Sequence, residues 1–223
     1  MARKEMQFAV IGLGRFGSSL AMTLMREGYE VLGIDKDEEI INHMAGNLTH
    51  AIVADTTDED AMRAIGIRNV DCAVVAIGDD TQSSIMTALL LKDLGVKLVV
   101  AKALSQIHGK VLERIGVDRV IFPERDMGER VAHQLISPNL LDFIEISKDY
   151  SICELKVFPK IAGRTLKELD LRAQYGFSVV AVHKKTGGVV VAPPAEHVLE
   201  EKDVMVVIGK LEQIEHFEKK LQR

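Results

Sequence analysis

Cysteine is scarce in this chain: Cys72 and Cys153 are its 2 copies, far apart and without a Cys-x-x-Cys pair. No dithiol motif is available, and since each lies in an apolar run both are expected as buried small side chains. Long apolar runs are absent too. None approaches the roughly 20 residues that a membrane-spanning helix needs. Excess positive charge is missing: 28 Lys and Arg stand against 33 Asp and Glu, a net charge of −5. That argues against nucleic acid as a partner, which would select a basic face. The opening "MARKEMQFAV" carries a little positive charge but lacks the long apolar region and small-residue cleavage site of a signal peptide, so a cytoplasmic protein is expected. The 7 histidines are scattered, with no His-Glu-x-x-His and no close His/Asp/Cys cluster. A Gly-x4-Gly-Lys-Ser/Thr loop is also missing, which removes a P-loop phosphatase. No low-complexity segment interrupts the chain.

What is present fits an ordinary globular protein. The 223 residues are 47% apolar and 27% charged, enough for one large or two small domains with a proper core. From residue 6 to about 135, short β-rich runs alternate with helical patterns. "MQFAVIG" (6–12), "YEVLGID" (29–35), "HAIVAD" (50–55), "DCAVVAIG" (71–78), "KLVVAKA" (97–103) and "DRVIFPE" (118–124) read as strands. Near-continuous apolar strands with helices between them mean a parallel sheet covered on both faces, here with the strand number of a full doubly wound dinucleotide fold. The rhythm then changes. "RDMGERVAHQLI" (125–136) reads as a helix, and "LLDFIEISKDYSI" (140–152) as a connector. Beyond it, strands, a "TGG" turn, the pair Pro193-Pro194 and a terminal helix suggest a smaller α+β unit with hairpins. The expected boundaries are 1–124 for the Rossmann-like domain, 125–139 for a connecting helix and linker, and 140–223 for the second domain.

The chemistry concentrates at "GLGRFG". Gly12-x-Gly14-x-x-Gly17 follows a strand and opens a helix. Gly12 permits the tight turn, Gly14 lets a ligand approach the backbone, and Gly17 lets helix and strand pack closely. The free N–H groups at the helix start then face an anion. Asp35 ends the second strand about 20 residues on, the spacing of a ribose-binding acid. Its carboxylate would repel a 2′-phosphate, which disfavours NADP. Arg15 puts a cation in the first helical turn, against the dipole. It is either a solvated surface arginine or a reader of phosphate charge beyond what backbone donors already serve.

Other strand ends converge on the same crevice, because ligands of open α/β sheets bind at the carboxyl ends of strands. Asp55 and Thr56 follow the third strand and face a base edge, unless Asp55 merely caps the next helix. Ala76, Ile77 and Gly78 end the fourth and leave room for sugar and phosphates. Lys102 ends the fifth and can reach a phosphate. Glu124 follows the sixth, as a site residue or as a favourable charge at a helix start. Phe16 and Lys36 complete the expected site. A dehydrogenase would also need a proton donor or acceptor over a substrate pocket, and no such constellation stands out. His43, His50, His108 and His216 read as surface or partly packed residues. Met127, Val131, Leu135 and Ile136 form an apolar stripe, either core or a dimer face.

Together "FAVIGLGRFG", "VLGID", "ADTTDE", "GIRNVDCAVVAIG", "KALSQIHGKVLERIGVDRVIFPERDMG" and "LDFIEIS" resemble the RCK or KTN family, the cytoplasmic regulatory subunits of Ktr-type bacterial potassium uptake systems. The resemblance covers nearly the whole chain. It implies a Rossmann-like domain, a crossover helix and a C-terminal domain. It also implies homodimers in an octameric ring, peripheral to the membrane beneath a K⁺ transporter subunit. ATP and ADP would compete for the glycine loop, with Asp35 on the ribose, Asp55 near the adenine, Lys102 contacting the ligand and Arg15 on the γ-phosphate across the dimer. Glu124 would face its counterpart and hold a cation, Mg²⁺ or another. Cyclic di-AMP would bind the C-terminal domain near Arg172, His183 and Pro193. The alternatives are an NAD(H)-dependent oxidoreductase and the soluble gating domain of a K⁺ channel.

Overall fold

The computed structural model describes residues 6–136, 140–147 and 149–222. It divides into two compact units, 1–124 and 125–223.

In the first unit six parallel strands form one sheet: β1 (Gln7–Ile11), β2 (Glu30–Asp35), β3 (His50–Val53), β4 (Cys72–Val75), β5 (Leu98–Lys102) and β6 (Arg119–Ile121). Their spatial order is β3-β2-β1-β4-β5-β6, a Rossmann-like doubly wound sheet. The order reverses between β1 and β4, where Phe8–Ile11 lie in register with Cys72–Val75. Alternation along β1 feeds two cores. Ala9 and Ile11 pack with Ala73, Val75, Leu91 and Leu112 on one face, while Val10 packs with Leu13, Ala21, Ile41 and Met44 on the other.

Each connecting helix starts where a short polar side chain can accept its orphan N–H groups. Asp37 caps α2 (Glu38–Met44), Asp58 caps α3 (Glu59–Ile65), Asp80 caps α4 (Thr81–Asp93) and Ser105 caps α5 (Gln106–Arg114). The cap of α3 is thus Asp58 rather than Asp55. By contrast, α1 (Arg15–Arg26) begins at Gly14 with no side-chain cap and no acid in its first turn. Both cysteines are free and buried, and burial pushes the thiol of Cys72 up to about 11 and that of Cys153 up to about 12. His108 is fully buried, with Nδ1 accepting from the Leu104 N–H at 3.2 Å.

The chain passes from the first unit to the second within α6 (Pro123–Ile136), whose proline occupies the first helical position. An antiparallel sheet follows, ordered β10-β9-β11-β8-β7. The stretch read as a connector belongs to it: β7 (Leu140–Glu145) and β8 (Tyr150–Lys156) pair antiparallel. Two short helices, α7 (Leu166–Leu169) and α8 (Leu171–Tyr175), then lead to β9 (Ser178–His183), β10 (Val189–Val191), β11 (Val204–Lys210) and α9 (Leu211–Gln222). Phe177, Phe217, Leu155, Leu199 and Met205 fill the core here, all less than 2% exposed. The Phe217 ring meets Tyr175 edge-on at 4.7 Å between centroids.

Candidate functional site

At the carboxyl ends of the parallel strands lies a cavity of about 400 Å³. Every residue expected around the glycine loop and the strand ends lines it, apart from Gly17: Gly12, Gly14, Arg15, Phe16, Asp35, Lys36, Asp55, Thr56, Ala76, Ile77, Gly78, Lys102 and Glu124. Gly17 lies beneath the loop. A β-carbon there would overlap the Gly12 carbonyl oxygen and approach Ala76 Cβ at 3.2 Å. Gly12 adopts φ +86°, and its own β-carbon would stand 2.9 Å from the Ile77 nitrogen. At Gly14 a β-carbon would meet no atom within 4 Å, so the space over the loop is open to a ligand.

Acids outnumber cations at one end of this cavity and cations outnumber acids at the other. Asp35, Asp37 and Asp55 stand with Lys36 at the β2–β3 end, while Arg15 and Lys102 stand with Glu124 toward β5 and α6. Such sorting suits a ligand with a hydroxylated, base-bearing end and an anionic end. Asp35 is tied down by two backbone donors: Leu13 N–H to Oδ2 at 2.6 Å and Asp37 N–H to Oδ1 at 3.0 Å. The acid therefore also holds the glycine loop in place. Asp55 accepts the Thr57 hydroxyl at 2.7 Å and the Thr57 N–H at 2.9 Å, and these bonds hold its carboxyl below the usual range. Thr56 turns inward instead, its hydroxyl 2.8 Å from that of Thr87, with both residues buried.

Sequence reading missed several wall residues. Ile40 and Ala54 offer apolar surface near Asp55, and Asp79 and Ser83 come from the start of α4. The signal for Ser83 is local. It donates its hydroxyl to the capping Asp80 at 2.6 Å, the first reason that the Asp80 carboxyl is held low.

Lys102 donates to Glu124 Oε1 at 2.6 Å, and this bond is the main reason that the Glu124 carboxyl is held low, with Lys102 and Arg15 adding to it through space. One chain supplies Glu124 alone to the expected cation site, whose second carboxylate would come from another copy. The Glu124 carboxylate is already paired with an ammonium, and among the described residues no group of three or more His, Cys, Asp or Glu could hold a metal ion.

In the second unit Arg172 and His183 are exposed and Pro193 is half-buried. The register separates two of them. His183 pairs with Val189 at one end of β10, whereas Pro193 lies beyond its other end, after Val191 pairs with Ala181 and Ala192 turns the chain at φ +47°.

Comparison with known proteins agrees with this architecture. A TrkA-N domain model matches residues 8–123 and a TrkA-C domain model residues 156–222. Ktr system potassium uptake protein C of Bacillus subtilis (strain 168) is 45% identical over 215 residues, covering 96% of this chain and 97% of that protein. Ktr system potassium uptake protein A of the same organism is 43% identical over 215 residues, covering 96% of each. The solved GsuK RCK domain superposes with a TM-score of 0.53 at 23% identity, over 100% of this chain and 48% of that one, a likeness of fold. Among the described residues, no helix is long and apolar enough to cross a membrane.

Proposed function

This chain belongs to the TrkA-N/TrkA-C family of potassium uptake proteins, and on that premise we propose that it is a nucleotide-sensing regulatory subunit of a K⁺ uptake system. It works at the inner face of the membrane, docked on a separate membrane subunit. ATP and ADP compete for the cavity over the glycine loop, and ATP favours the conducting state. The pocket senses its nucleotide and does not turn it over.

One observation carries this reading: an uncapped helix start that opens into the cavity beside Arg15. The first N–H groups of α1 have no side-chain acceptor, so they are available to a phosphate. Arg15 is exposed in that same turn, where it opposes the dipole until an anion arrives. Asp35 serves the ribose, and the apolar surface of Ile40 and Ala54 serves the base.

Assembly multiplies the effect. Met127, Val131, Leu135 and Ile136 on α6 are all exposed, which supports α6 as a contact between copies rather than as core. A homodimer would then bring Arg15 to its neighbour's nucleotide, and four dimers would close an octameric ring. Moving a two-state equilibrium from 1:99 to 99:1 takes about a 10⁴-fold difference in affinity. Eight concerted sites reach it with about a threefold preference each. Cyclic di-AMP is retained as a second ligand, at a C-terminal site to which two copies contribute.

Calorimetric titration with ATP, ADP, NAD and NADH, together with the mass in solution, tests this reading. ATP and ADP are expected to bind tightest. Arg15→Ala should weaken ATP about 10- to 150-fold, the worth of charge-assisted hydrogen bonds, and leave ADP within about threefold. Tight NADH with negligible ATP would instead support an oxidoreductase. An Arg15→Ala protein that keeps the full ATP preference would remove Arg15 from phosphate reading.

A further inference from the structure

Lys102 is buried in the wall of the cavity. Its ammonium lies 2.6 Å from Glu124 Oε1 and 5.9 Å from the centre of the Phe16 ring. Gly78 leaves room for it, since a β-carbon there would come within 3.0 Å of Nζ. The two partners differ sharply in exposure: the Lys102 side chain is 7% exposed and that of Glu124 is 65% exposed. A buried ammonium is costly without a counter-charge, and Glu124 supplies it.

We infer that the Lys102–Glu124 pair is an autoinhibitory lock on the phosphate end of the pocket, opened when a polyphosphate takes the ammonium from the carboxylate. This inference rests on the nucleotide reading above and adds to it a regulation of the same site. An ammonium has three donor hydrogens, so a phosphate can approach while Glu124 is still attached. Two anions drawn to one buried cation repel each other, and one must leave. Lys102 is buried against Phe16, whereas Glu124 stands mostly in water at the first turn of α6. Glu124 is therefore the group that moves. Binding is weakened by the cost of breaking the pair, and the pocket responds most to ligands with enough phosphate charge to break it. The low-lying Glu124 carboxyl agrees with an engaged anion that must be displaced.

The test is affinity for ATP and for inorganic tripolyphosphate, measured by calorimetry on the full chain in a chelator so that divalent cations play no part. E124Q removes the competitor and should tighten both probes by about three- to fivefold, the upper part of the range for an exposed ion pair. E124D keeps the charge but shortens the reach, and should tighten both by about twofold. K102M should weaken both, and in that background E124Q should change affinity by less than twofold. Unchanged or weaker binding by E124Q and E124D would overturn the lock. So would a full E124Q gain in the K102M background, which would mark a plain field effect of the carboxylate. Should K102M not fold, the E124D arm still separates the two, because a field effect alone gives E124D no gain. A wild-type protein that binds neither probe would overturn this inference and the nucleotide reading together. Normal ATP binding with unresponsive Glu124 variants would overturn the lock alone.

Discussion

Gly17→Ala is expected to cost the N-terminal unit about 3 kcal/mol or more and to abolish nucleotide binding, while Gly14→Ala leaves the fold intact and loses the ligand alone. The difference lies in what each added methyl would meet. At Gly17 it overlaps the carbonyl oxygen of Gly12, a backbone atom that cannot rotate away. Gly12 is itself fixed, since its N–H donates to Ile34 O at 2.8 Å and its φ of +86° is set by the turn. The helix must back off the sheet, and Ala76 at 3.2 Å blocks the other direction. Overpacking of this kind costs about 1–3 kcal/mol where side chains can yield, and more where only backbone is available. For a unit of this size that is roughly a 10 °C fall in its unfolding temperature. Gly14 has an ordinary extended conformation, φ −63° and ψ −169°, and nothing within 4 Å of the added carbon. Alanine fits there, but its methyl fills the space over the loop. An ATP affinity at least about tenfold weaker, with an unchanged melting temperature, is expected for Gly14→Ala. Thermal unfolding and ATP titration of both variants read the two effects separately.

Much of the first unit is legible in the sequence because its strands are buried on both faces. Cys72–Val75 is buried at every position, and such a run has no other explanation in an alternating α/β pattern. The positions of the site residues follow from the same rule, since strand ends face one crevice. Their partners do not. Thr56 looks like a base-reading hydroxyl beside Asp55, but Thr87 on α4, thirty-one positions away, takes it into the core. Lys102 looks like a free phosphate ligand, but the start of α6 returns Glu124 to it. Both pairings depend on how far each helix carries the chain before it returns, which periodicity does not specify.

The second unit is harder to read for a related reason. The segment 140–152 has charged residues within it and no glycine or proline at its bend, so it lacks the usual hairpin marks. The strands are joined instead by backbone bonds among Ile146, Ser147 and Tyr150, with the Ile146 N–H donating to Tyr150 O at 2.9 Å. Strand β8 also pairs with β11, far along the chain, and long-range partners leave little local trace. Similarly, "TLKELDLRAQYG" reads as one helix. Asp170 at φ +41° splits it in two, a left-handed turn that aspartate tolerates better than most residues.

Asp203→Asn is expected to destabilise the C-terminal unit by about 2–4 kcal/mol and to flatten its acid unfolding profile. Asp203 is fully buried just before β11, and its carboxylate takes three hydrogen bonds. It accepts from Lys184 Nζ at 2.9 Å, from the Lys185 N–H at 3.1 Å and from the Glu200 N–H at 3.1 Å. Burial alone would push the carboxyl up, but these three donors outweigh it and hold the carboxyl low. Lys184 is shifted the other way, upward, chiefly by the same bond to Asp203. A carboxylate held low in the fold lends stability that is present above its unfolded pKa near 4 and is lost as pH falls through the lower folded value. A lysine held high lends stability that is present below its unfolded pKa and is lost as pH rises through the folded one. The pair therefore supports the unit across the whole neutral range and gives way at both extremes. Asparagine keeps one acceptor oxygen but leaves the Lys184 ammonium without its buried counter-charge. Lys184 and Lys185 directly follow His183, so the same substitution loosens the β9–β10 hairpin that carries a residue of the proposed second ligand site. Urea unfolding from pH 7 down to pH 3 checks the claim. The wild-type protein should lose stability steeply below about pH 4, whereas Asp203→Asn should start lower and lose less. Parallel pH profiles for the two proteins would mean that Asp203 does not carry this charge in the fold.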